Sequence, residues 1–241
     1  MTLTISHFCL SLLLLAIPAC VLWILDRRLL RQSVLVIGRV ALVLALLAVC
    51  FYYLFRWDSP WLNMLWVLLS GGVAVAVYCR KRWLAVPVFV ASSLSVSLFG
   101  LFLLLWTNGG GSLFKASYFL PVMAVLQADA LFLCRRGMTA FTMNLHRHGS
   151  LQEYLLANGV SRREALRPFY AQAVKRAMAP VLSQLLLVGA VFMPSLLAGM
   201  LLCGVEPLKA VAFLFLLMVT AICCSLSALL GSIWIYLRLK S

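Results

Sequence analysis

Two ionisable residues lie inside long apolar stretches of the sequence, where a charged group is costly in a bilayer. Arg39 belongs to the apolar run Ser33 to Phe55, and Asp129 belongs to the run Tyr118 to Cys134. Such groups must find a counter-charge, a hydrogen-bond partner or water, and they often mark functional sites. Counted along their helices, both lie roughly 9–12 Å from the same membrane edge. The sequence therefore predicts that Arg39 and Asp129 pair, or share a water-filled pocket.

The predicted pair has three interpretations at this level. It can be a structural ion pair that fixes helix packing, or a gate or cation-handling group. In the third interpretation the Arg39 side chain extends to the interface and leaves Asp129 by itself.

The other residues that could carry catalysis are poorly placed for it. His7, His146 and His148 lie at the terminus or in loops, so a serine hydrolase would have no positioned base. Intramembrane aspartyl proteolysis needs two acids at depth, and only Asp129 is present. No G-x-x-x-x-G-K-[ST] motif occurs, so this chain is not expected to bind ATP in that way. We expect no catalytic residue and no cofactor in the chain itself.

The eight cysteines lie mostly within apolar runs and form no C-x-x-C pair. This pattern indicates small hydrophobic side chains rather than a disulfide framework or a metal site. A soft-metal site at the vicinal Cys223 and Cys224 is the alternative. No metal ligand is assigned from the sequence.

The longest polar interval contains two capping boxes in tandem. Ser150 with Glu153, and Ser161 with Glu164, each have the spacing at which a serine caps a helix start and a glutamate reaches back. Gly159 lies between them, where the first helix must end. The interval therefore predicts two short helices joined by a tight glycine turn.

The first of these helices carries an apolar stripe of Leu151, Tyr154 and Leu155. A short helix with exposed apolar residues that cannot span a membrane needs a partner to cover it. The spacing from Glu153 to Gly159, followed by a second helix, resembles the loop by which permease subunits of ABC transporters dock onto their ATPase. A mere connector between two spans is the alternative.

Composition determines the broad class of the protein. Of the 241 residues, 65% are hydrophobic and 11% are charged, which excludes a soluble domain. The net charge of +14 comes from basic residues clustered between apolar runs, so topology and anionic lipid headgroups explain it better than nucleic acid. About seven membrane-spanning helices are predicted, at Phe8–Leu25, Ser33–Phe55, Trp61–Cys79, Trp83–Trp106, Tyr118–Cys134, Ala177–Cys203 and Leu208–Leu237.

The distribution of lysine and arginine predicts the orientation. Sixteen of the 20 lie in loops on one side and three on the other, with Arg39 inside a span. The positive-inside rule then places the N-terminus outside and the C-terminus in the cytoplasm. We expect one all-α permease domain over residues 1–241, multi-pass in a bacterial cytoplasmic membrane, with a cytoplasmic segment at 135–176.

Small residues and prolines modify the predicted spans. Five small residues in the fourth run allow close helix approach, namely Ser92, Ser93, Ser95, Ser97 and Gly100. Pro168 is predicted to interrupt the helix that follows Gly159. Pro194 is predicted to kink the sixth span, either as a gate or as a static bend.

The second half of the chain resembles the FetB-type permeases, the membrane subunits of a bacterial metal-exporting ABC system. The similarity is carried by the stretch from Glu153 to Ala165, by Lys175 to Pro180, and by the spacing of four later residues: Pro194, Gly199, Gly204 and Pro207. Arg39 also matches an arginine typical of that family.

The resemblance implies a permease that exports metal, with iron as the suggested cargo. It implies a homodimer in the lipid bilayer, resting on two copies of a cytoplasmic ATPase that binds ATP and Mg²⁺, with no nucleic-acid partner. The residues expected to couple to the ATPase are Ser150, Leu151, Glu153, Tyr154, Leu155, Gly159, Ser161 and Glu164. The residues expected in the pathway or gate are Arg39, Gln127, Asp129, Pro194, Ser195, Gly199 and Met200.

The sequence departs from the FetB-type pattern where cargo would pass. The family's P-G-M-M-T-G-Q becomes Pro194-Ser-Leu-Leu-Ala-Gly199-Met200, and several amides of the family are replaced by apolar residues. A hard cation would then find few oxygen ligands, which favours a more lipophilic cargo. An ATP-independent channel or facilitator and a membrane scaffold remain as rival functions.

Overall fold

The computed structural model describes residues 27–78, 82–107, 114–187 and 195–239, together with Cys20 and Trp23. Every regular element in these ranges is an α-helix, and the prediction of an all-helical polytopic membrane protein is confirmed. The helices are α1 (Arg27–Trp57), α2 (Pro60–Tyr78), α3 (Arg82–Thr107), α4 (Ala116–Arg147), α5 (Gly149–Ala157), α6 (Arg162–Leu187), α7 (Ser195–Leu202) and α8 (Pro207–Leu239).

The chain divides into two compact units, Met1–Trp57 and Asp58–Ser241. In the first unit, α1 is a single helix of 31 residues whose apolar side chains are nearly all exposed. Such a surface suits lipid better than water, because no aqueous protein leaves so long an apolar helix uncovered.

The second unit is built around α4, which packs against α2, α3, α5, α6 and α8. Its buried residues recur every three or four positions along the whole helix, as in Phe119, Met123, Leu126, Ala130 and Leu133. This spacing keeps one broad apolar stripe on the inner face of the helix. The same stripe continues past Cys134 to Asn144, so a single helix serves both the span and the polar segment.

Five described helices are long and apolar enough to cross a membrane, namely α1, α2, α3, α4 and α8. They correspond to the second, third, fourth, fifth and seventh predicted runs. The first run, 8–25, lies outside the described residues apart from Cys20 and Trp23. The sixth run is described in two parts, the end of α6 and the whole of α7, and Pro194 lies outside the described residues.

Two glycines allow α4 to approach its neighbours closely. A Cβ at Gly100 of α3 would lie 2.5 Å from the Met123 sulfur, and one at Gly137 of α4 would overlap Leu229 Cδ1 on α8. A side chain at either position would force the end of Met123 or Leu229 to move, so the glycines permit the observed approach of the helices.

The start of α4 is held by residues far away in the sequence. The Ala116 amide donates to Asp58 Oδ1 at 2.7 Å, and Asn63 Nδ2 donates to the Phe114 carbonyl at 2.9 Å. A carboxylate at a helix N-terminus satisfies an otherwise unpaired N–H and interacts favourably with the helix dipole. The connection between α1 and α2 therefore fixes the beginning of the central helix.

Candidate functional site

The turn between α5 and α6 has the geometry predicted for it. Gly159 has φ of +78°, in the left-handed region, and it follows the C-cap Asn158. The Gly159 amide donates to the Leu156 carbonyl at 3.0 Å, and the Val160 amide donates to the Leu155 carbonyl at 3.1 Å. These two bonds are the paired contacts of a Schellman motif, which ends a helix at a glycine. The turn is therefore a hydrogen-bonded structure.

One half of the second predicted capping box is present. Ser161 Oγ accepts from the Glu164 amide at 3.4 Å and donates to Glu164 Oε2 at 2.8 Å. The serine thus caps the N-terminus of α6, although the glutamate accepts from the hydroxyl rather than from the backbone amide expected of a capping box.

The N-cap position predicted for Ser150 is wrong. His148 occupies the N-cap of α5, and Ser150 lies within the first turn. The reason is that α4 continues to Arg147, and its C-cap His148 donates its amide to the Asn144 carbonyl at 2.9 Å. A single residue joins the two helices, so α5 begins at Gly149. The structure does not describe the side chains of Leu151, Gln152 and Glu153.

The hairpin, defined as α5 with the turn 158–161, presents apolar side chains at its surface. Tyr154 is 66% exposed and Leu156 is 40% exposed, while Leu155 is half-buried. The remaining part of the predicted stripe, Leu151, is not described. An exposed aromatic ring with a polar tip is typical of the centre of a protein interface.

Helix α6 leads from the hairpin towards the predicted sixth span without a break. It runs for 26 residues through both Pro168 and Pro180, so the predicted interruption at Pro168 is wrong. The packing of its inner face against α4 outweighs the loss of one backbone hydrogen bond. That face is made of Ala165, Leu166, Phe169, Ala173 and Ala177, all buried.

Three aromatic rings join α4, α6 and α8 near the hairpin. Phe141 is fully buried, and its ring centroid lies 5.6 Å from that of Tyr170 on α6 and 6.4 Å from that of Tyr236 on α8. Centroid distances in this range are those of favourable aromatic pairs. Burial also raises the pKa of the Tyr170 phenol, because desolvation disfavours its charged form. The cluster is a neutral, packed joint between three helices.

The ionisable residues at membrane depth lie on the two separate units. Arg39 is exposed on α1, and Asp129 is exposed on α4. Their pairing stays a prediction. An exposed carboxylate in the middle of a spanning helix still requires a counter-charge or water, for the reason given above.

Replacing Asp129 by asparagine while Arg39 is kept is expected to destabilise the protein more than replacing both residues. The single change leaves the Arg39 charge without a partner in the membrane, which costs about 2–3 kcal/mol, whereas the double change with Arg39→Gln removes both charges. Thermal unfolding in nanodiscs measures the difference. Equal losses in the single and double variants would show that the two residues do not pair.

Gln127 is the predicted pathway residue whose surroundings the structure defines best. It is 6% exposed, and its Nε2 has no hydrogen-bond partner among the described residues. The amide borders a crevice of about 60 Å³ between α2, α3 and α4. A Cβ on Gly71 of α2 would lie 2.8 Å from this nitrogen, so the glycine makes room for the amide.

The crevice combines a buried floor with partly exposed walls. Phe119, Met123 and Gln127 of α4 form the floor. Ser93 and Ser97 of α3 form one wall, together with Leu101, and Met64, Val67 and Leu68 of α2 form the other. The sequence by itself indicates only a packing role for these serines. The signal for the crevice is the spacing of four residues between Ser93 and Ser97, which places both on the same face of α3.

The remaining predicted gate residues that the structure describes lie along α7. Ser195 and Gly199 are exposed, and Met200 is half-buried, with its carbonyl accepting from the Val205 amide at 3.1 Å. That bond belongs to a second glycine-terminated turn, at Gly204 with φ of +82°. The structure does not bring these residues to the crevice.

The cysteines behave as small apolar side chains in the described ranges. Cys223 is exposed and Cys224 is buried, so the vicinal pair faces different surroundings. Cys134 Sγ lies 3.7 Å from Ser232 Oγ. No group of three His, Cys, Asp or Glu side chains suited to a metal ion occurs among the described residues.

Comparison with known proteins identifies the family. The profile of UPF0014, described as an uncharacterised protein family, matches residues 5–239. The chain belongs to the UPF0014 family. One relative is the UPF0014 membrane protein slr1647 of Synechocystis sp. (strain ATCC 27184 / PCC 6803 / Kazusa), 23% identical over 198 residues that cover 75% of this chain and 72% of that protein.

A second relative of this UPF0014 chain is the UPF0014 membrane protein YjkA of Bacillus subtilis (strain 168). It is 24% identical over 194 residues, covering 76% of this chain and 73% of the relative. No solved structure matches. The names of both relatives agree with the five membrane-spanning candidates, and the chain is a membrane protein.

The family assignment based on resemblance to the FetB-type permeases is wrong. The profile that covers nearly the whole chain is that of UPF0014, which is a different family. The motif positions that suggested FetB, such as Gly159 and Gly204, are helix-ending glycines in the structure. Any helical membrane protein can place glycine there, so these positions do not discriminate between families. The hypothesis of iron export rested only on that resemblance, and it falls with it.

Proposed function

We propose that this protein is the transmembrane permease subunit of an ABC transporter, and that the hairpin docks onto a separate ATPase. The observation that carries the proposal is the hairpin itself. Its glycine turn and serine cap give it a fixed shape, and Tyr154 and Leu156 remain exposed on it. A shaped, partly apolar projection outside the spanning helices fits a protein partner.

The connection of the hairpin to the spans supports a mechanical role. Helix α6 is about 39 Å long and begins directly after the serine cap. Its alanine-rich face lies against α4, which permits close packing, and the ring cluster at Phe141 ties both helices to α8. Because packed helices move as rigid bodies, a displacement of the hairpin would be transmitted to three helices of the second unit.

The proposed energy source lies outside the chain. The sequence lacks a phosphate-binding loop of the P-loop type, so ATP and Mg²⁺ would bind to the partner. A pair of ATPase subunits would serve a homodimer of this chain, with the hairpin on the cytoplasmic side, where the positive-inside rule places it. In a bacterium this arrangement belongs to the cytoplasmic membrane.

Exchanging Tyr154 for aspartate is expected to reduce recovery of the ATPase at least about tenfold when the protein is purified from its native membranes. An interfacial aromatic residue typically contributes 2 kcal/mol or more, and a charge at its site adds a desolvation cost. Copurified ATPase is measured by mass spectrometry and by ATP hydrolysis. Gln172→Glu, which introduces a negative charge at an exposed position of α6, is the control and should leave recovery unchanged.

Each rival function gives a different result when transport in vesicles is measured beside copurification of the ATPase. A channel or facilitator would move cargo in vesicles that contain this chain alone, and no ATPase would copurify with it. A scaffold would show neither transport nor ATP hydrolysis. Equal recovery of an ATPase with Tyr154→Asp and with the wild type would show that the hairpin is not the docking element.

A further inference from the structure

The crevice contains a buried hydrogen-bond donor that no described residue satisfies. Gln127 Nε2 is enclosed and has no partner in the described part of the chain, although most buried polar groups in proteins find one. Leaving an amide N–H unpaired in an apolar environment is unfavourable. The crevice next to it is therefore suited to a ligand that supplies an acceptor.

The position of the amide restricts where that ligand comes from. Gln127 is eleven residues beyond the start of α4 at Ala116, which corresponds to about 17 Å along the helix axis. The hydrocarbon core is about 30 Å thick, so the amide lies near its middle. A ligand that brings an acceptor to this depth must be soluble in the bilayer.

The lining disfavours most free ions. None of the nine described residues that line the crevice is ionisable, so a charge placed there would remain uncompensated in a medium of low polarity. Two thioethers, Met64 and Met123, are present, and a soft monovalent metal ion is the one ionic competitor that they could attract.

The size and the mouth of the crevice fit one end of a longer molecule. A volume of about 60 Å³ exceeds several times the roughly 10–15 Å³ that one water molecule needs by the same measure, which leaves room for a hydroxyl or carbonyl oxygen and a few carbons. Met64 and Leu68 at the mouth are 37% and 45% exposed. The remainder of the molecule can therefore stay outside the crevice.

We propose that the crevice binds an uncharged lipophilic molecule through an oxygen that accepts a hydrogen bond from Gln127. The hydroxyls of Ser93 and Ser97 provide further polar contacts on the opposite wall. Identification of this molecule as the cargo rests on the permease function proposed above, while binding itself does not.

A photoactivatable octanol, carrying a diazirine on its chain, tests the site in the full-length protein in lipid nanodiscs. After irradiation, mass spectrometry is expected to locate adducts on crevice residues such as Met64 and Met123. An excess of 1-decanol should suppress these adducts, whereas decane, which has no acceptor oxygen, should not. Gln127→Leu, which preserves size and removes the donor, should reduce labelling on the order of five-fold.

A pair of adjacent glycines provides a matched control for the shape of the crevice. A Cβ at Gly71 would lie 2.8 Å from Gln127 Nε2, whereas a Cβ at Gly72 would meet Phe89 at an ordinary 3.6 Å. Gly71→Ala is therefore expected to displace the amide and reduce labelling, and Gly72→Ala should leave labelling at the wild-type level. Both variants improve helix propensity equally, so a difference between them reports on the crevice.

Several results would overturn the proposal. These are the absence of adducts in the crevice, equal competition by decane and decanol, unchanged labelling in Gln127→Leu, and displacement by silver ions without displacement by decanol. None of these measurements involves an ATPase.

The two proposals can therefore fail independently of each other. Labelling of the crevice without a copurifying ATPase would contradict the permease function and support the binding site. A copurifying ATPase without labelling would support the permease function and contradict the binding site.

Discussion

Replacing Phe141 by alanine is expected to lower the unfolding temperature of the protein by about 10 °C. The ring is fully buried and contacts aromatic rings of two other helices. Removing a buried phenylalanine typically costs about 3–5 kcal/mol, because the transfer free energy of the ring is lost and a cavity remains. In a chain of this size, 1 kcal/mol corresponds to roughly 2–4 °C.

The same substitution should also weaken coupling between ATP hydrolysis and the spans, if the permease function is correct. Phe141 joins α4 to α6, and a cavity at this joint lets α6 move without α4. Phe215→Ala is the matched control, since Phe215 is exposed on α8. Thermal unfolding in nanodiscs measures the stability of both variants, and ATP hydrolysis by the copurified complex measures the coupling. A control that loses as much stability as Phe141→Ala would show that the ring cluster is not a structural joint.

Replacing Gly159 by valine is expected to reduce the amount of ATPase that copurifies with the protein at least about tenfold. A non-glycine residue in the left-handed region costs about 1–2 kcal/mol, and a β-branched side chain costs more. The chain avoids this cost by leaving the turn conformation, which breaks the bonds from Gly159 and Val160 to the end of α5. The exposed residues of the hairpin then lose their fixed positions.

Gly149→Val is a control that isolates the backbone conformation. A Cβ at either glycine would meet no atom within 4 Å, but only Gly159 has a positive φ. Because Gly149 is helical, its replacement should be roughly neutral for helix propensity and for ATPase recovery. Equal recovery of the ATPase in both variants would show that the geometry of the turn does not matter for docking.

Local signals in the sequence predicted the turn correctly because they act over short distances. A glycine that ends a helix and a serine three residues before a glutamate are satisfied by bonds within six residues. The structure contains both, at Gly159 and between Ser161 and Glu164. The same reasoning misplaced Ser150, because whether α4 continues to Arg147 depends on its packing against neighbouring helices.

The prolines show how tertiary packing overrides a local signal. Pro168 lacks an amide hydrogen, and on sequence alone it indicates a helix break. In the structure its neighbours Leu166 and Phe169 are buried on the face that packs against α4. Helix α6 therefore continues through the proline to Leu187, and the turn at its start is joined to the rest of the helix without the break that the sequence suggested.

Hydropathy, charge distribution and helix-ending residues in the sequence by themselves determined that this is an all-helical membrane protein with a polar hairpin after its fifth apolar run. Each of these three signals depends on residues within one helical turn or one span, where the solvent and the backbone hydrogen bonds decide the local structure. Only the tertiary structure placed Gln127 and Ser97 around one crevice, with Gly71 beside the Gln127 amide. Only the tertiary structure joined Phe141, Tyr170 and Tyr236. Which helix faces meet is decided by the shapes of side chains far apart in the chain, and a periodic apolar pattern leaves that choice open.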